Sequence, residues 1–253
     1  MDDYCLIEKE DGYYISEYNG FEEEEMIIPN IIDGNIIIGI ARGAFHGLQS
    51  VKKIRISEGI EVIENVAFSN CSWLEEILLP NSLRVIGSEL EEDEEGAFED
   101  TGLTSIIIPD NVTYIGPHTF MLCHDLEEVI LSNKMKVVTE RMFSECENLS
   151  RVELPLNLEI IEENAFEMCW NLNEVYIPMG TKKIEFGAFS EAYLTSIYIP
   201  PSVENISIPA NANWIEDPTM GCNQSNLTIY CTENSEAMRY ARRNKIKWKR
   251  LMF

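Results

Sequence analysis

Residues 67–80 read AFSNCSWLEEILLP, and the same frame returns along most of the chain. Phe45, Phe68, Phe98, Phe120, Phe143, Phe166 and Phe189 are spaced 23, 30, 22, 23, 23 and 23 residues apart. Ala44, Ala67, Ala97, Ala165 and Ala188 precede five of them, with Thr119 and Met142 as the exceptions. Five or six residues after each Phe comes an apolar triplet spaced as Leu74, Ile77 and Leu79 are, from Val51/Ile54/Ile56 through Leu126/Val129/Leu131 to Leu194/Ile197/Ile199. A period of this length marks a stack of small structural units, none of which buries its apolar face alone.

Each unit reads as a short strand, a corner, a second extended piece and a helical turn. Ile77-Leu78-Leu79 alternates with the period of a strand whose first and third residues turn inward. Pro29, Pro80, Pro109, Pro155, Pro178 and Pro200 follow such strands; proline cannot donate to a ladder and suits the point where the chain leaves the sheet. A pair such as Val62-Ile63 or Val85-Ile86 then runs back. Ala67, Phe68, Cys71 and Leu74 lie at i, i+1, i+4 and i+7, one face of a short helix. Burying one of the Phe rings is worth roughly 1.5 to 3 kcal/mol, and six intervals at about 4.8 Å predict a stack about 30 Å long.

The motif A-F-x-x-C-x-x-L-x-x-I-x-I-P, followed by V-x-x-I-G or a near variant, resembles the BspA-like leucine-rich-repeat family of bacterial surface proteins over roughly residues 24–200. The resemblance implies an adhesin-like interaction protein. The frames themselves predict an α/β, β-rich leucine-rich-repeat solenoid, right-handed, of about eight coils, with a parallel sheet on one face, short helical turns and capped ends. Residues 1–23 are expected to form an N-terminal capping hairpin around Asp11-Gly12, residues 24–213 the repeats, and residues 214–253 a capping strand (Leu227 to Tyr230) and a helix over 235–244. Together they make a single solenoid domain.

The formal charge of −25 argues against nucleic acid or anionic lipid as partner. Residues 239–253 nevertheless hold seven of the 19 Lys and Arg and no acid. Arg242 and Arg243 near a helix C-terminus give this basic tail a structural reading, through the helix dipole, beside that of a basic binding site. No stretch reaches the roughly 18 apolar residues of a membrane-spanning helix, and the first 30 residues lack the basic start and apolar run of a signal peptide. The expectation is a monomer, cytoplasmic as the chain reads or a mature part of something exported.

Cys71, Cys123, Cys146 and Cys169 each lie three residues after a repeat Phe, a slot that Thr101 and Ala192 fill in other coils. Stacked side chains there lie about 5 Å apart, whereas a disulfide needs Cβ atoms near 3.8 Å, so the column reads as reduced core cysteine, ahead of disulfides or a metal. Cys222 and Cys231 lie outside the column, and their pairing in an oxidising compartment stays open. His118, Cys123 and His124 match no zinc spacing. There is no phosphate-binding loop, H-E-x-x-H or G-x-S-x-G, so the chain reads as non-catalytic and without a cofactor.

Contacts are then expected where the repeat does not dictate the residue. Between the inward positions of each strand lies an outward column: Arg55, Leu78, Ile107, Ile130, Glu153, Tyr176 and Tyr198. Large apolar and aromatic side chains on an exposed sheet suit a protein partner. The competing reading is that such residues simply favour strands. The alternatives to an interaction module are a scaffold segment of a larger assembly and a carbohydrate-related binding or hydrolytic domain. A second candidate is the insert between Ile86 and Phe98, where Glu89, Glu91, Glu92, Asp93, Glu94 and Glu95 would make a negative loop for a basic partner or a cation; a solvated acidic loop is the plainer reading.

Overall fold

In a computed structural model of the chain, residues 3–88, 95–207, 219 and 226–251 are described. The chain winds as a β-solenoid of about nine turns. Each repeat triplet forms a strand of three or four residues, among them Lys53–Ile56, Glu76–Leu78, Ser105–Ile107, Glu128–Ile130, Arg151–Glu153, Glu174–Tyr176 and Ser196–Tyr198. Pairing between coils is parallel and in register, so that Glu128 faces both Ser105 and Arg151. The strands Glu25–Ile28 and Thr228–Cys231 join the same ladders at the two ends. The Val-Ile pairs form two-residue strands on a second side, in register from Val62 to Val85 and from Ile160 to Lys183.

The core is a set of columns. Rings of the seven repeat phenylalanines stack along the axis with centroids 5.2 to 5.6 Å apart and planes within 15° of parallel. Phe68 and Phe98 are 5.2 Å apart like their neighbours, so the longer interval between them leaves the stack undisturbed. Tyr18 extends the column below Phe45 at 5.6 Å, and Tyr4 follows at 5.2 Å.

The cysteine column is built as expected: Cys71, Cys123, Cys146 and Cys169 are fully buried, with Thr101 and Ala192 buried in the same slot. Each thiol donates to the carbonyl of the Phe one coil earlier, Cys71 to Phe45 at 3.1 Å, Cys123 to Phe98 at 3.1 Å, Cys146 to Phe120 at 3.0 Å and Cys169 to Phe143 at 3.2 Å. Desolvation disfavours the thiolate, pushing Cys71 up to about 11 and Cys123 to about 12, and Cys146 and Cys169 well above the ordinary value. These are inert packing groups, since the thiolate is the reactive form. Cys222 lies outside the described residues.

One local expectation changes. The Ala-Phe segment is no helix but a succession of tight turns closed by i+3 bonds, such as Ser69 N–H to the Val66 carbonyl at 3.1 Å. In six of the seven repeat coils two residues four positions apart adopt the left-handed conformation: Gly43 and Gly47, Val66 and Asn70, His118 and Leu122, Arg141 and Glu145, Asn164 and Met168, and Gly187 and Glu191; the Phe98 coil has Asp100 alone. These residues turn the backbone so that its amides bond across coils, as Phe143 N–H does to the Ala165 carbonyl at 2.9 Å. A continuous helix would spend the same amides on itself.

The ends differ from the repeats. Tyr4–Lys9 and Gly12–Tyr18 form an antiparallel hairpin with Lys9 opposite Gly12. Asp33 and Gly34, both at positive φ, turn Ile31–Ile32 back on Asn35–Ile40, the two-residue reversal that suits strand twist. At the other end Ser235 caps the helix Glu236–Arg243, accepting from the Met238 amide, and Ala237, Met238, Tyr240 and Ala241 are buried. The strand Lys247–Arg250 then pairs with Thr228–Cys231.

Candidate binding surface

The outward column forms three ladder segments. Ile27, Arg55 and Leu78 are mutual neighbours in the first, Ile107, Ile130 and Glu153 in the second, and Tyr176, Tyr198, Tyr230 and Lys249 in the third. The seven residues expected from the sequence thus hold matching positions within the three segments, and Ile27, Tyr230 and Lys249 join the first and third. Leu78 is 45%, Ile107 67% and Tyr176 60% exposed, and Ile27 is 65%. Ile130 and Tyr198 are half-buried between neighbours, and Arg55 and Glu153 are exposed.

The tyrosines are the most ordered part of the column. The ring centroids of Tyr176 and Tyr198 lie 4.2 Å apart and those of Tyr198 and Tyr230 lie 4.4 Å apart, with planes within 12° of parallel. Lys249 closes the row, with Nζ 5.4 Å from the Tyr230 centroid, a cation on an aromatic face. The hydrogen bond to Tyr176, then burial and the nearby Glu174, hold the Tyr198 hydroxyl in its protonated form. Tyr198 is stacked on both sides, whereas Tyr176, 60% exposed, stacks on one ring only, so the row offers edges, hydroxyls and the outer face of Tyr176 to solvent.

Beside this column runs the more polar one. Lys53 bonds Glu76 at 2.8 Å, and Arg151 bonds Glu128 at 2.6 Å and also Glu153. Exposed pairs like these contribute little to stability and keep the surface polar around the apolar column. Arg55 makes no ion pair among the described residues.

Of the acidic insert, Glu89, Glu91, Glu92, Asp93 and Glu94 lie outside the described residues. Glu95 accepts from the Asn70 amide at 2.9 Å and lies 4.0 Å from His46 Nδ1, so its carboxylate is tied to the turn beneath it. Among the described residues no three His, Cys, Asp or Glu side chains are grouped to hold a metal, and no helix is long and apolar enough to cross a membrane. A cavity of about 480 Å³ on the second side is walled by Tyr114, Val137, Thr139, Glu140, Glu162 and Glu185, among others. The basic tail has a packing role in part: Arg242 lies 5.6 Å over the Trp248 ring and Arg243 5.7 Å over Tyr240.

A family model described as a BspA type leucine rich repeat region, in six copies, matches residues 17–90 and 91–215. The chain belongs to the BspA type leucine-rich-repeat family. Its fold is shared with the crystal structure of a T. pallidum leucine rich repeat protein, 24% identical, with a TM-score of 0.50 over 67% of this chain and 88% of that one. A leucine-rich repeat protein from Bacteroides ovatus is 21% identical with a TM-score of 0.44, covering 100% of this BspA-type chain and 99% of its own. The pneumococcal vaccine antigen PcpA is 15% identical with a TM-score of 0.33, covering 100% of both chains. No curated protein matches the sequence.

Proposed function

We propose that this BspA-type chain is a non-catalytic protein-interaction module whose partner docks on the outward column, Arg55, Leu78, Ile107, Ile130, Glu153, Tyr176 and Tyr198, extended by Ile27 and Tyr230. The observation that carries the reading is the solvent-facing stack of Tyr176, Tyr198 and Tyr230. Tyrosine gives a binding surface large apolar area and a polar tip at little conformational cost, and packing of the core does not require it there. Membership of the family is consistent with such a role, because the repeat frame of this chain builds a rigid scaffold and does not dictate the outer column.

The test is the variant Tyr176→Ala/Tyr198→Ala, compared with wild type in capture of binding proteins from a defined panel of purified host and bacterial surface proteins. Any partner held by the wild-type chain is expected to bind the variant at least about tenfold more weakly, the effect of losing one or two central contacts. Full retention of binding by a folded variant defeats the reading.

A further inference from the structure

The two ends of the solenoid carry opposite charge. Residues 1–25 hold ten Asp and Glu against one Lys, whereas residues 239–253 hold seven Lys and Arg and no acid. Each end also carries an edge strand of the outward ladder. Among the described residues Glu25–Ile28 pairs only with Lys53–Ile56, and Lys247–Arg250 only with Thr228–Cys231. Both pairings are parallel. A second copy shifted along the axis therefore presents its Glu25–Ile28 edge to Lys247–Arg250 in the sense that continues the sheet.

Part of the charge at each edge is already paired, Glu24 with Lys52 at 3.4 Å and Arg250 with Glu233 at 3.6 Å, and part is not. Asp3, Glu23 and Glu25 make no ion pair among the described residues, and neither do Lys245, Lys247 and Lys249. Glu25 stands opposite Lys53, but the Lys53 ammonium lies 2.8 Å from Glu76. The register that aligns Glu25 with Lys53 and Glu76 at one end aligns Ser196, Thr228 and Lys247 at the other. Continuing that column from one copy into the next sets Lys247 beside Glu25. The acidic edge also exposes apolar surface, with Phe21 85% and Ile27 65% accessible, and the basic edge offers the half-buried Trp248.

We propose that these edges are one interface, through which copies of this chain associate head to tail. Lysine on an edge strand guards against pairing with a like edge, and the acidic edge repels its own kind equally. Back-to-back contacts are thereby disfavoured and the unlike contact is left. Such a heterologous contact does not close on itself unless the rotation between copies makes a ring, so it yields open chains that lengthen with concentration. The partner is a second copy because the acidic Glu25–Ile28 edge and the basic Lys247–Arg250 edge that complement each other both belong to this chain. The interface meets the ends of the outward column at Ile27 and Lys249, but Glu23, Glu25, Lys245 and Lys247 lie outside the tyrosine row, so loss of one contact leaves the other measurable.

Ionic strength reads the interface directly. At about 0.1 M salt the Debye length is about 10 Å, which lets facing strands attract while muting repulsion between the acidic bodies; at about 1 M it is about 3 Å. Sedimentation velocity over a concentration series is expected to show average mass rising with concentration at about 0.1 M salt and returning to the monomer at about 1 M. Lys245→Glu/Lys247→Glu and Glu23→Lys/Glu25→Lys should each associate at least about tenfold more weakly, and an equimolar mixture of the two should associate again, since the reversed ends match. If either reversal fails to give the folded circular dichroism spectrum, Lys245→Ala/Lys247→Ala and Glu23→Gln/Glu25→Gln take their place, each expected to weaken association. A wild-type monomer at every concentration overturns the proposal. Association unchanged by the substitutions, or by salt, overturns it as well, as does a mixture of folded reversal variants that stays monomeric.

Discussion

Phe143 and Glu153 belong to one coil, and each stands in a column repeated from coil to coil. The inward column keeps phenylalanine at all seven rungs with nearly parallel rings. The outward column passes from Ile27, Arg55 and Leu78 through Ile107, Ile130 and Glu153 to three tyrosines. Both hang on the same backbone ladder, so the contrast comes from what surrounds the side chain. Inside, a volume is fixed by the rungs above and below; outside, solvent accepts almost any residue that suits a strand. The inner column therefore says how the chain folds and nothing about what it meets, and the outer column is where a binding preference can be written.

The largest effect that separates the columns is expected at alkaline pH. The four column thiols are held protonated by burial, whereas in the unfolded chain they ionise near their ordinary value of about 9. A thiol whose folded pKa is raised favours the native state fully below the unfolded value and loses that contribution as pH rises toward the folded one. Each thiol then costs about 1.4 kcal/mol per pH unit. Urea midpoints should be level between pH 7 and about pH 8.5 and fall steeply from about pH 9 to pH 10.5; in a Cys5→Ser background, which removes the thiol exposed among the described residues, the four column thiols should stay unreactive to Ellman's reagent until the fall begins. Native thiols at Cys123, Cys146 or Cys169 that titrate and react at pH 8 would break the contrast.

Removal of one rung comes next. Phe143→Ala leaves a cavity between Phe120 and Phe166, which stand at 5.5 and 5.3 Å from the ring on either side. The cost is expected to be about 3 to 5 kcal/mol, read as a lower urea midpoint. The outer column should behave otherwise. Each tyrosine stack contributes about 0.5 to 1.5 kcal/mol, partly screened by solvent, so Tyr176→Ala/Tyr198→Ala should lower the melting temperature by only a few degrees while weakening partner capture. A loss as large as that of Phe143→Ala would make the tyrosines part of the core after all.

The inner column was legible in the sequence because its spacing is strict and its residue type constant. Phe45 to Phe189 and the cysteine slot lie where the frame put them, and the seven outward residues fall at matching strand positions in three ladder segments. Three features were not. Tyr18 continues the phenylalanine stack from a strand that reads only as part of a hairpin, because no Ala-Phe motif surrounds it. Ile27 and Tyr230 extend the outward column from terminal strands: the Met26/Ile28 strand has no repeat Phe before it, and the Leu227 strand has no proline after it. The strand Lys247–Arg250 is hidden by its charges, three of four residues being basic. Spacing also misled at one place, since positions i, i+1, i+4 and i+7 are shared by a helix face and by a chain of turns. What tells them apart is the left-handed backbone, and His118, Leu122, Arg141 and Val66 give no hint of it in their residue types.

Val66 allows that last point to be weighed, with the smallest expected effect. Its φ is +63°, and a β-branched L-residue in this region is crowded by its own carbonyl, at about 1 to 2 kcal/mol. The equivalent position is Gly43 one coil earlier, at +69°, and Asn164 four coils later, at +55°. Asparagine tolerates the conformation without the unfolded-state freedom of glycine, so Val66→Asn is expected to raise stability by about 1 kcal/mol and Val66→Gly by less. The reciprocal change isolates the strain, because a Cβ at Gly43 meets nothing within 4 Å. Gly43→Val should therefore cost about 1 to 2 kcal/mol through its backbone alone. Equal urea midpoints for wild type, Val66→Asn and Gly43→Val would mean that the turns relax at no cost, and that the inter-coil amide bonds do not depend on the left-handed residues.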